Sequence, residues 1–314
     1  MRQELRLGLV AIGLLVLAAC SASTSPGPLS PSIPVVAGPT PVGHAAAIAV
    51  VGTENFYADL LSQIGGARVS VTSLLNDPNA DPHAFESSTQ AAVAVADAQL
   101  VVVNGLGYDA FMDKLLGASP NATRVVINVQ QLLGLADGAN AHIWYDPATM
   151  TRVADAATAA LARIDPANSS YFGARGAIYL DSLKTVAAKI AAMKTRFSGT
   201  PVAFTEPVAG YLASAIGLHV LTPEGFQKSI EDGTDPAPAD VAAESDLLTG
   251  KHVRALIYNS QVTSPITTEM HDLAVASGIP VVGVAETIPA AYATFVDWQI
   301  AQLDQLAQAL ASGG

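Results

Sequence analysis

The chain has 314 residues, of which 50% are hydrophobic and only 13% are charged, so it is long enough for one large or two ordinary domains. Its 15 basic and 27 acidic residues give a formal net charge of −12, which argues against nucleic acid and anionic membrane surfaces as partners. The single cysteine, Cys20, excludes an intrachain disulfide and a thiolate metal cluster.

The first residues have the organisation of a secretion signal. Arg2 and Arg6 precede an apolar run over 7–19, which is too short to cross a hydrocarbon layer of about 30 Å as a helix. The run leads into Leu-Ala-Ala-Cys at 17–20, which resembles a bacterial lipoprotein signal, in which the cysteine is lipidated and becomes the mature N-terminus. We therefore expect a signal peptide over 1–19 and a lipid anchor on Cys20, with the protein at the outer face of the cell membrane. An ordinary signal peptide with an incidental cysteine is the alternative.

Residues 20–44 are rich in Ser, Pro and Gly and contain no Lys, Arg, Asp or Glu. Such a segment cannot bury an apolar core, so we expect a flexible tether between the lipid anchor and the folded part of the chain.

From residue 45 the chain alternates between strand and helix. Short apolar runs predict strands over 47–51, 69–74, 100–104 and 124–129, with helical spacing between them over 54–64, 89–98 and 108–116. Continuous apolar strands separated by helices are typical of a parallel sheet that is covered on both faces. In such sheets, ligands bind beyond the carboxyl ends of the strands.

A long helix is predicted near the middle of the chain. Asp146 and Pro147 are suited to cap and begin a helix that runs to 164, and an uninterrupted helical pattern then covers 166–197. The second helix would be about 45 Å long at 1.5 Å per residue. We interpret it as a rigid connector between an N-terminal lobe over 45–165 and a C-terminal lobe over 198–314. A long surface helix of a single domain is the alternative.

The second half repeats the α/β character of the first. Strands are predicted over 202–205, 218–221, 254–258 and 280–284, helices over 239–248 and 266–276, a polar loop over 222–238 and a closing helix over 290–310. The sequence thus predicts an α/β fold with two Rossmann-like lobes, each built on a parallel sheet.

Four polar residues share one setting, just past an apolar strand or in a loop before a helix: His83, His142, Glu206 and Glu286. His83 lies in a loop that Pro78 and Pro82 stiffen, because each proline fixes its own φ and restricts the preceding residue. If both sheets point their carboxyl ends at one cleft, two imidazoles and two carboxylates can converge on a divalent first-row ion. Solvated, salt-bridged or hydrogen-bonded structural residues are the alternative for each position.

Several motifs carry a resemblance to a known family: NFYAD at 55–59, QIGG at 63–66, DPH at 81–83 and HIWYDP at 142–147. Together they resemble the metal-binding substrate-binding lipoproteins of bacterial ABC importers for zinc and manganese, the zinc-uptake component A or TroA-like family. The resemblance implies two α/β lobes joined by one rigid helix, as in the metal-binding cluster of periplasmic binding proteins. It also implies a monomer that delivers metal to an ABC-type permease and has no enzymatic activity.

The resemblance assigns the metal ligands position by position. His83 and His142 match the two histidines of the N-terminal lobe, Glu206 falls where members carry His or Glu, and Glu286 falls where an acidic residue, more often Asp, is usual. The His-rich loop of zinc-specific members is absent before His83. Glu286 is one methylene longer than Asp, which leaves open whether it binds a metal through one oxygen or both.

The residues leave the metal and some functional alternatives open. Two carboxylates make a hard site that slightly favours Mn²⁺, whereas intrinsic affinity ranks Zn²⁺ above Mn²⁺. A secreted metal-dependent hydrolase is the alternative function, although the sequence contains no His-Glu-x-x-His run and no Gly-x-Ser-x-Gly motif. A surface adhesin and a binder of a metal complex or an organic solute are further readings that the sequence does not favour.

Overall fold

The computed structural model describes residues 46–77, 85 and 87–312. The predicted signal peptide, Cys20, the tether and His83 lie outside the described residues. The described part contains two parallel sheets of four strands, as the sequence predicted. The first sheet consists of β1 (Ile48–Glu54), β2 (Val69–Leu75), β3 (Leu100–Val103) and β4 (Val125–Asn128). The second consists of β5 (Pro201–Phe204), β6 (His219–Val220), β7 (Leu256–Asn259) and β8 (Val281–Val284).

The two sheets have the same topology. The strand order is β2-β1-β3-β4 in the first and β6-β5-β7-β8 in the second, and all neighbours are parallel. Each lobe therefore places its first and third strands side by side at the centre, where the direction of the connections reverses. The carboxyl ends of these central strands are the usual ligand-binding position of an open α/β sheet.

Helices cover the sheets and join them. In the N-terminal lobe they are α1 (Asn55–Gly65), α2 (Thr89–Asp97), α3 (Phe111–Ala118), α4 (Val129–Leu133) and α5 (Thr149–Ile164). The connecting helix is α6 (Ser169–Phe197). In the C-terminal lobe they are α7 (Gly210–Ile216), α8 (Glu224–Glu231), α9 (Pro238–Thr249), α10 (Pro265–Ser277) and α11 (Phe295–Ser312). No helix in these described ranges is long and apolar enough to cross a membrane.

The connecting helix α6 packs on both lobes. Its 29 residues give it a length of about 44 Å. It contacts α1 and α5 on one side and α7 and α11 on the other. A buried stripe along the helix, from Phe172 through Leu183 and Ile190 to Phe197, belongs to one apolar core that includes residues of both sheets. The lobes are thus joined by a shared core as well as by the chain.

Several predicted elements differ from the structure, and three of the differences have an identifiable local cause. Helix α5 begins at Thr149 rather than Pro147, after a turn in which Asp146 Oδ1 accepts from Ala148 N. The closing helix begins at Phe295 rather than 290, because Thr294 Oγ1 accepts from Asp297 N and caps the helix there. The predicted polar loop over 222–238 contains α8, whose short apolar face consists of Phe226 and Ile230.

Polar contacts fasten the lobes close to the candidate ligands. The Asn55 side chain of α1 donates to Ile288 O and accepts from Ile288 N, at 3.0 and 2.8 Å. Tyr145 OH donates to Ala285 O at 2.7 Å. Both partners lie within two residues of Glu286, so the N-terminal lobe positions the backbone that carries this carboxylate.

Candidate metal centre

His142 is fully buried between the two lobes, directly before the 3₁₀ turn Ile143–Tyr145. The rings of Trp144 and Tyr108 lie 5.2 and 5.9 Å from its imidazole, centroid to centroid. Because these rings exclude water, a charge bound to the imidazole would act in a medium of low effective dielectric constant.

Asn140 fixes the protonation of the His142 ring. Its Oδ1 accepts from the backbone N of His142 at 2.9 Å, and its Nδ2 donates to Pro207 O of the other lobe at 2.7 Å. A backbone N–H can only donate and a carbonyl can only accept, so the orientation of the amide is determined. The same Oδ1 lies 2.8 Å from His142 Nδ1, which must therefore carry a proton. In the neutral ring this leaves the lone pair on Nε2, the atom needed to bind a metal ion.

Glu286 follows β8 and is also fully buried. Its backbone N donates to Gln261 Oε1 at 2.9 Å, which holds the loop in place. Its Oε1 accepts from Asn259 Nδ2 at 2.8 Å and its Oε2 accepts from Tyr108 OH at 2.9 Å. The same Oε2 lies 3.4 Å from His142 Nε2. A nitrogen lone pair and a carboxylate oxygen from opposite lobes thus face one another.

An unusual loop positions Tyr108 for this contact. Gly105, Leu106 and Gly107 have φ values of 81°, 56° and 82°, and Leu106 has this left-handed conformation without being a glycine. The Asp109 carboxylate stabilises the turn by accepting from Asn104 N and Gly105 N, at 2.7 and 2.9 Å. Burial and the Glu286 carboxylate raise the pKa of Tyr108 well above its usual range, so the phenol remains a donor.

Glu206 lies two residues after the end of β5, with 2% of its surface exposed. Its Oε2 accepts from Asn259 Nδ2 at 2.8 Å, whereas its Oε1 has no hydrogen-bond partner among the described residues. Burial, helped by the negative charges of Glu286 and Glu231, raises the pKa of Glu206 to about 8, against the lowering effect of the Asn259 hydrogen bond and of His142. A nearby cation would reverse this shift, because it favours the charged carboxylate.

Sequence reasoning missed four residues of this centre: Tyr108, Asn140, Asn259 and Glu231. Glu231 is the last residue of α8, and its Oε1 lies 3.8 Å from His142 Nε2. Its side chain is 20% exposed, so it connects the buried centre with the solvent side. The spacing of Phe226 and Ile230 was the available signal for α8, since residues four apart lie on one face of a helix.

The structure brings together His142, Glu206 and Glu286, three of the four predicted ligands, at the meeting of the two lobes. His83, the fourth, lies outside the described residues. Within the described ranges, no group of three or more His, Cys, Asp and Glu side chains is already placed to hold a metal ion. His219 is exposed on β6, while His252 and His271 lie 3.8 and 3.0 Å from Asp246 and Asp272.

The comparisons with known proteins agree with this architecture. The family model for the periplasmic component A of zinc-uptake complexes matches residues 50–309. The chain belongs to this family. The zinc-uptake component A family is described as part of a metal-uptake complex and not by an enzymatic activity.

Individual relatives of this family are distant in sequence. A protein of Treponema pallidum (strain Nichols), named for inferred metal binding, is 28% identical over 217 residues, which cover 62% of this chain and 65% of that protein. The alignment thus spans slightly less than two thirds of this relative. The manganese-binding lipoprotein MntA of Halalkalibacterium halodurans is 24% identical over 242 residues, 74% of this chain and 77% of MntA.

A solved structure shows the same fold. The periplasmic zinc-binding protein TroA of Treponema pallidum matches with a TM-score of 0.72 and 18% identity, over 84% of this chain and 99% of TroA. At this identity the match establishes the fold with two α/β lobes and a long helix, and nothing about the metal.

Proposed function

We propose that this protein captures one divalent transition metal ion, Mn²⁺ or Zn²⁺, between its lobes and delivers it to an ABC-type permease. The observation that carries the proposal is the meeting of His142 Nε2 with the buried carboxylates of Glu286 and Glu206. The imidazole comes from one lobe and the carboxylates from the other. Two buried carboxylates repel one another and are costly without a cation, so an ion that binds there also draws the lobes together.

The proposed ligands are His83, His142, Glu206 and Glu286. The three described members supply one neutral nitrogen and two carboxylates, and His83 adds a second imidazole on the strength of the sequence resemblance. Together they carry a charge of −2, which matches a dication. Imidazole and carboxylate are ordinary ligands of Zn²⁺, and carboxylate also suits Mn²⁺.

The family is described as periplasmic, which supports a location outside the cytoplasm for this protein. We further propose that 1–19 is a signal peptide, that Cys20 carries the lipid and that 20–44 is a tether. The lobes would then span 45–165 and 198–314, with the connecting helix over 166–197 and a monomer as the working unit. The name of the relative MntA, a lipoprotein, is in keeping with the lipid anchor.

Native mass spectrometry of the purified protein, after chelation and titration with Zn²⁺ and Mn²⁺, tests the proposal. One ion per chain is expected. His142→Ala and Glu286→Gln should lower the affinity at least about 100-fold, since each removes a ligand or its charge. The matched controls His219→Ala and Glu269→Gln change exposed residues and should leave the affinity unchanged. Affinity that is unaltered in both ligand variants would refute the site, and no bound metal in any titration would refute the function.

The alternative of a secreted metal-dependent hydrolase has no observation in its favour. The two carboxylates are engaged by Asn259 and would serve as ligands, and the family is a transport component. Turnover of an ester, peptide or phosphate substrate by the metal-loaded protein would revive it.

A further inference from the structure

The loop that follows β3 has a strained backbone. Gly105, Leu106 and Gly107 have φ values of 81°, 56° and 82°. This left-handed region is open to glycine but sterically costly for leucine, so contacts from outside the loop must keep Leu106 there. Helix α4 supplies such a contact, because Gln130 Oε1 accepts from Leu106 N at 2.9 Å. Gln130 Nε2 donates to Asp137 Oδ1 at 2.8 Å, which fixes the orientation of the amide. Strain that the surrounding structure maintains in this way is typical of functional sites.

The strained loop places the Tyr108 ring where the two lobes meet. The ring is buried and packs edge-on against Trp144, with 5.0 Å between the ring centroids. Its OH donates to Glu286 Oε2 at 2.9 Å, across 178 positions of the chain. Oε2 is the same atom that lies 3.4 Å from His142 Nε2. The phenol uses one lone pair of Oε2, so another lone pair remains for a metal ion.

The Glu286 carboxylate has a donor at each of its oxygens. Tyr108 OH, from the N-terminal lobe, donates to Oε2, and Asn259 Nδ2, from the C-terminal lobe, donates to Oε1 at 2.8 Å. A carboxylate held at both ends cannot rotate about its terminal bond unless one of these hydrogen bonds breaks. Separation of the lobes also breaks the bond from Tyr108, since that bond crosses between them.

We propose that Tyr108 is a positioning residue that holds Glu286 Oε2 towards His142 Nε2, and that the loop supported by Gln130 thereby slows dissociation of the metal ion. This inference rests on the proposed function. It explains why a strained backbone lies beside the centre, and it assigns retention of the ion to a phenol that does not itself bind the ion. Hydrogen-bonding partners of metal ligands commonly change metal affinity 10- to 100-fold when they are removed.

The test compares the wild type with Tyr108→Phe, which removes only the hydroxyl. Kd values for Zn²⁺ and Mn²⁺ are measured by competition with chelators, and dissociation rates by mixing the loaded protein with excess EDTA in a stopped-flow instrument. The Kd of the metal that the wild type binds should rise at least about tenfold, mostly through a faster dissociation rate.

Tyr145→Phe is the matched control for loss of contact between the lobes. It also removes a hydrogen bond that crosses between them, from Tyr145 OH to Ala285 O at 2.7 Å, but it leaves both oxygens of Glu286 with their donors. The dissociation rate should therefore increase less than in Tyr108→Phe. Equal increases would show that Tyr108 only joins the lobes, and they would overturn the positioning role.

A double-mutant cycle tests whether the loop acts through the phenol. Gln130→Ala removes the acceptor of Leu106 N and should raise the Kd a few-fold when Tyr108 is present, but no further in the Tyr108→Phe background. Gln131→Ala changes the exposed neighbour and should have no effect. Additive effects of the two changes, or an unaltered Kd in Tyr108→Phe, would overturn this inference alone. If the wild type bound neither metal, the proposed function and this inference would both fail.

Discussion

Metal affinity is expected to fall steeply as the pH is lowered below 8, because Glu206 becomes protonated. Burial raises the pKa of this carboxyl to about 8, with Glu286 and Glu231 adding to the shift. A metal ion binds the ionised carboxylate, so the metal-free protein must first release the proton. Affinity therefore increases as pH rises towards 8 and levels off above it.

The magnitude follows from the fraction of Glu206 that is ionised. A group with a pKa of about 8 is ionised in about half of the molecules at pH 8, in about a tenth at pH 7 and in about a hundredth at pH 6. Glu206 alone should thus raise the apparent Kd about fivefold between pH 8 and 7, and about fiftyfold between pH 8 and 6.

Calorimetric titration at pH 7, in buffers with different enthalpies of ionisation, measures the protons released on binding. We expect about one proton per metal ion, from Glu206. Glu206→Gln should bind more weakly at pH 8, and its affinity should change little between pH 7 and 8, whereas Glu269→Gln should behave like the wild type. An affinity that is constant between pH 7 and 8, with no proton released, would refute the reasoning.

Three further perturbations test individual contacts. Asn140→Ala should weaken metal binding about 10- to 100-fold, because the His142 ring loses the partner that fixes its tautomer. Asn140→Asp can still accept a hydrogen bond from His142 Nδ1, so it should lose less affinity. Equal losses for the two variants in an equilibrium titration would contradict this role. Glu231→Gln should lower the association rate of the metal ion a few-fold in stopped-flow measurements, since a partly exposed negative charge attracts cations. The dissociation rate should change less. An effect confined to the dissociation rate would make Glu231 a ligand instead. Asn55→Ala removes both hydrogen bonds to Ile288 and should lower the free energy of unfolding, measured in urea, by about 1–3 kcal/mol. A change below about 0.5 kcal/mol would show that this contact does not stabilise the association of the lobes.

Residue type and position after an apolar run brought two residues of the centre to attention in the sequence. Glu206 and Glu286 each follow an apolar run, and the rule that ligands bind at the carboxyl ends of parallel strands placed them in one cleft. Asn259 ends β7 and satisfies the same rule. An amide is not a typical metal ligand in such sites, so nothing in its residue type singled it out. Its contacts depend on the orientation of the amide, which the backbone N of Gln261 determines and which no local sequence pattern indicates.

Asn140 was missed for a related reason. It lies only two residues before His142, yet its amide is oriented by Pro207 O, 67 positions later in the chain. A local motif contains no information about a partner in the other lobe. Glu231 was missed because the helix that carries it was not predicted. Helix α8 has only two buried apolar residues, and a pattern this short does not distinguish a helix from a polar loop.

The contacts that place the ligands are also the contacts that join the lobes. Asn140 donates to Pro207 O beside Glu206, Tyr108 OH donates to Glu286, and Asn55 exchanges two hydrogen bonds with Ile288. A rigid rotation of one lobe would break these bonds together, at a net cost of about 1 kcal/mol each, and would expose part of the core that both lobes share. The same rotation would separate the His142 nitrogen from the Glu286 oxygen. On the proposed function, metal binding at this centre and closure of the lobes would therefore stabilise one another, because both depend on the same few side chains.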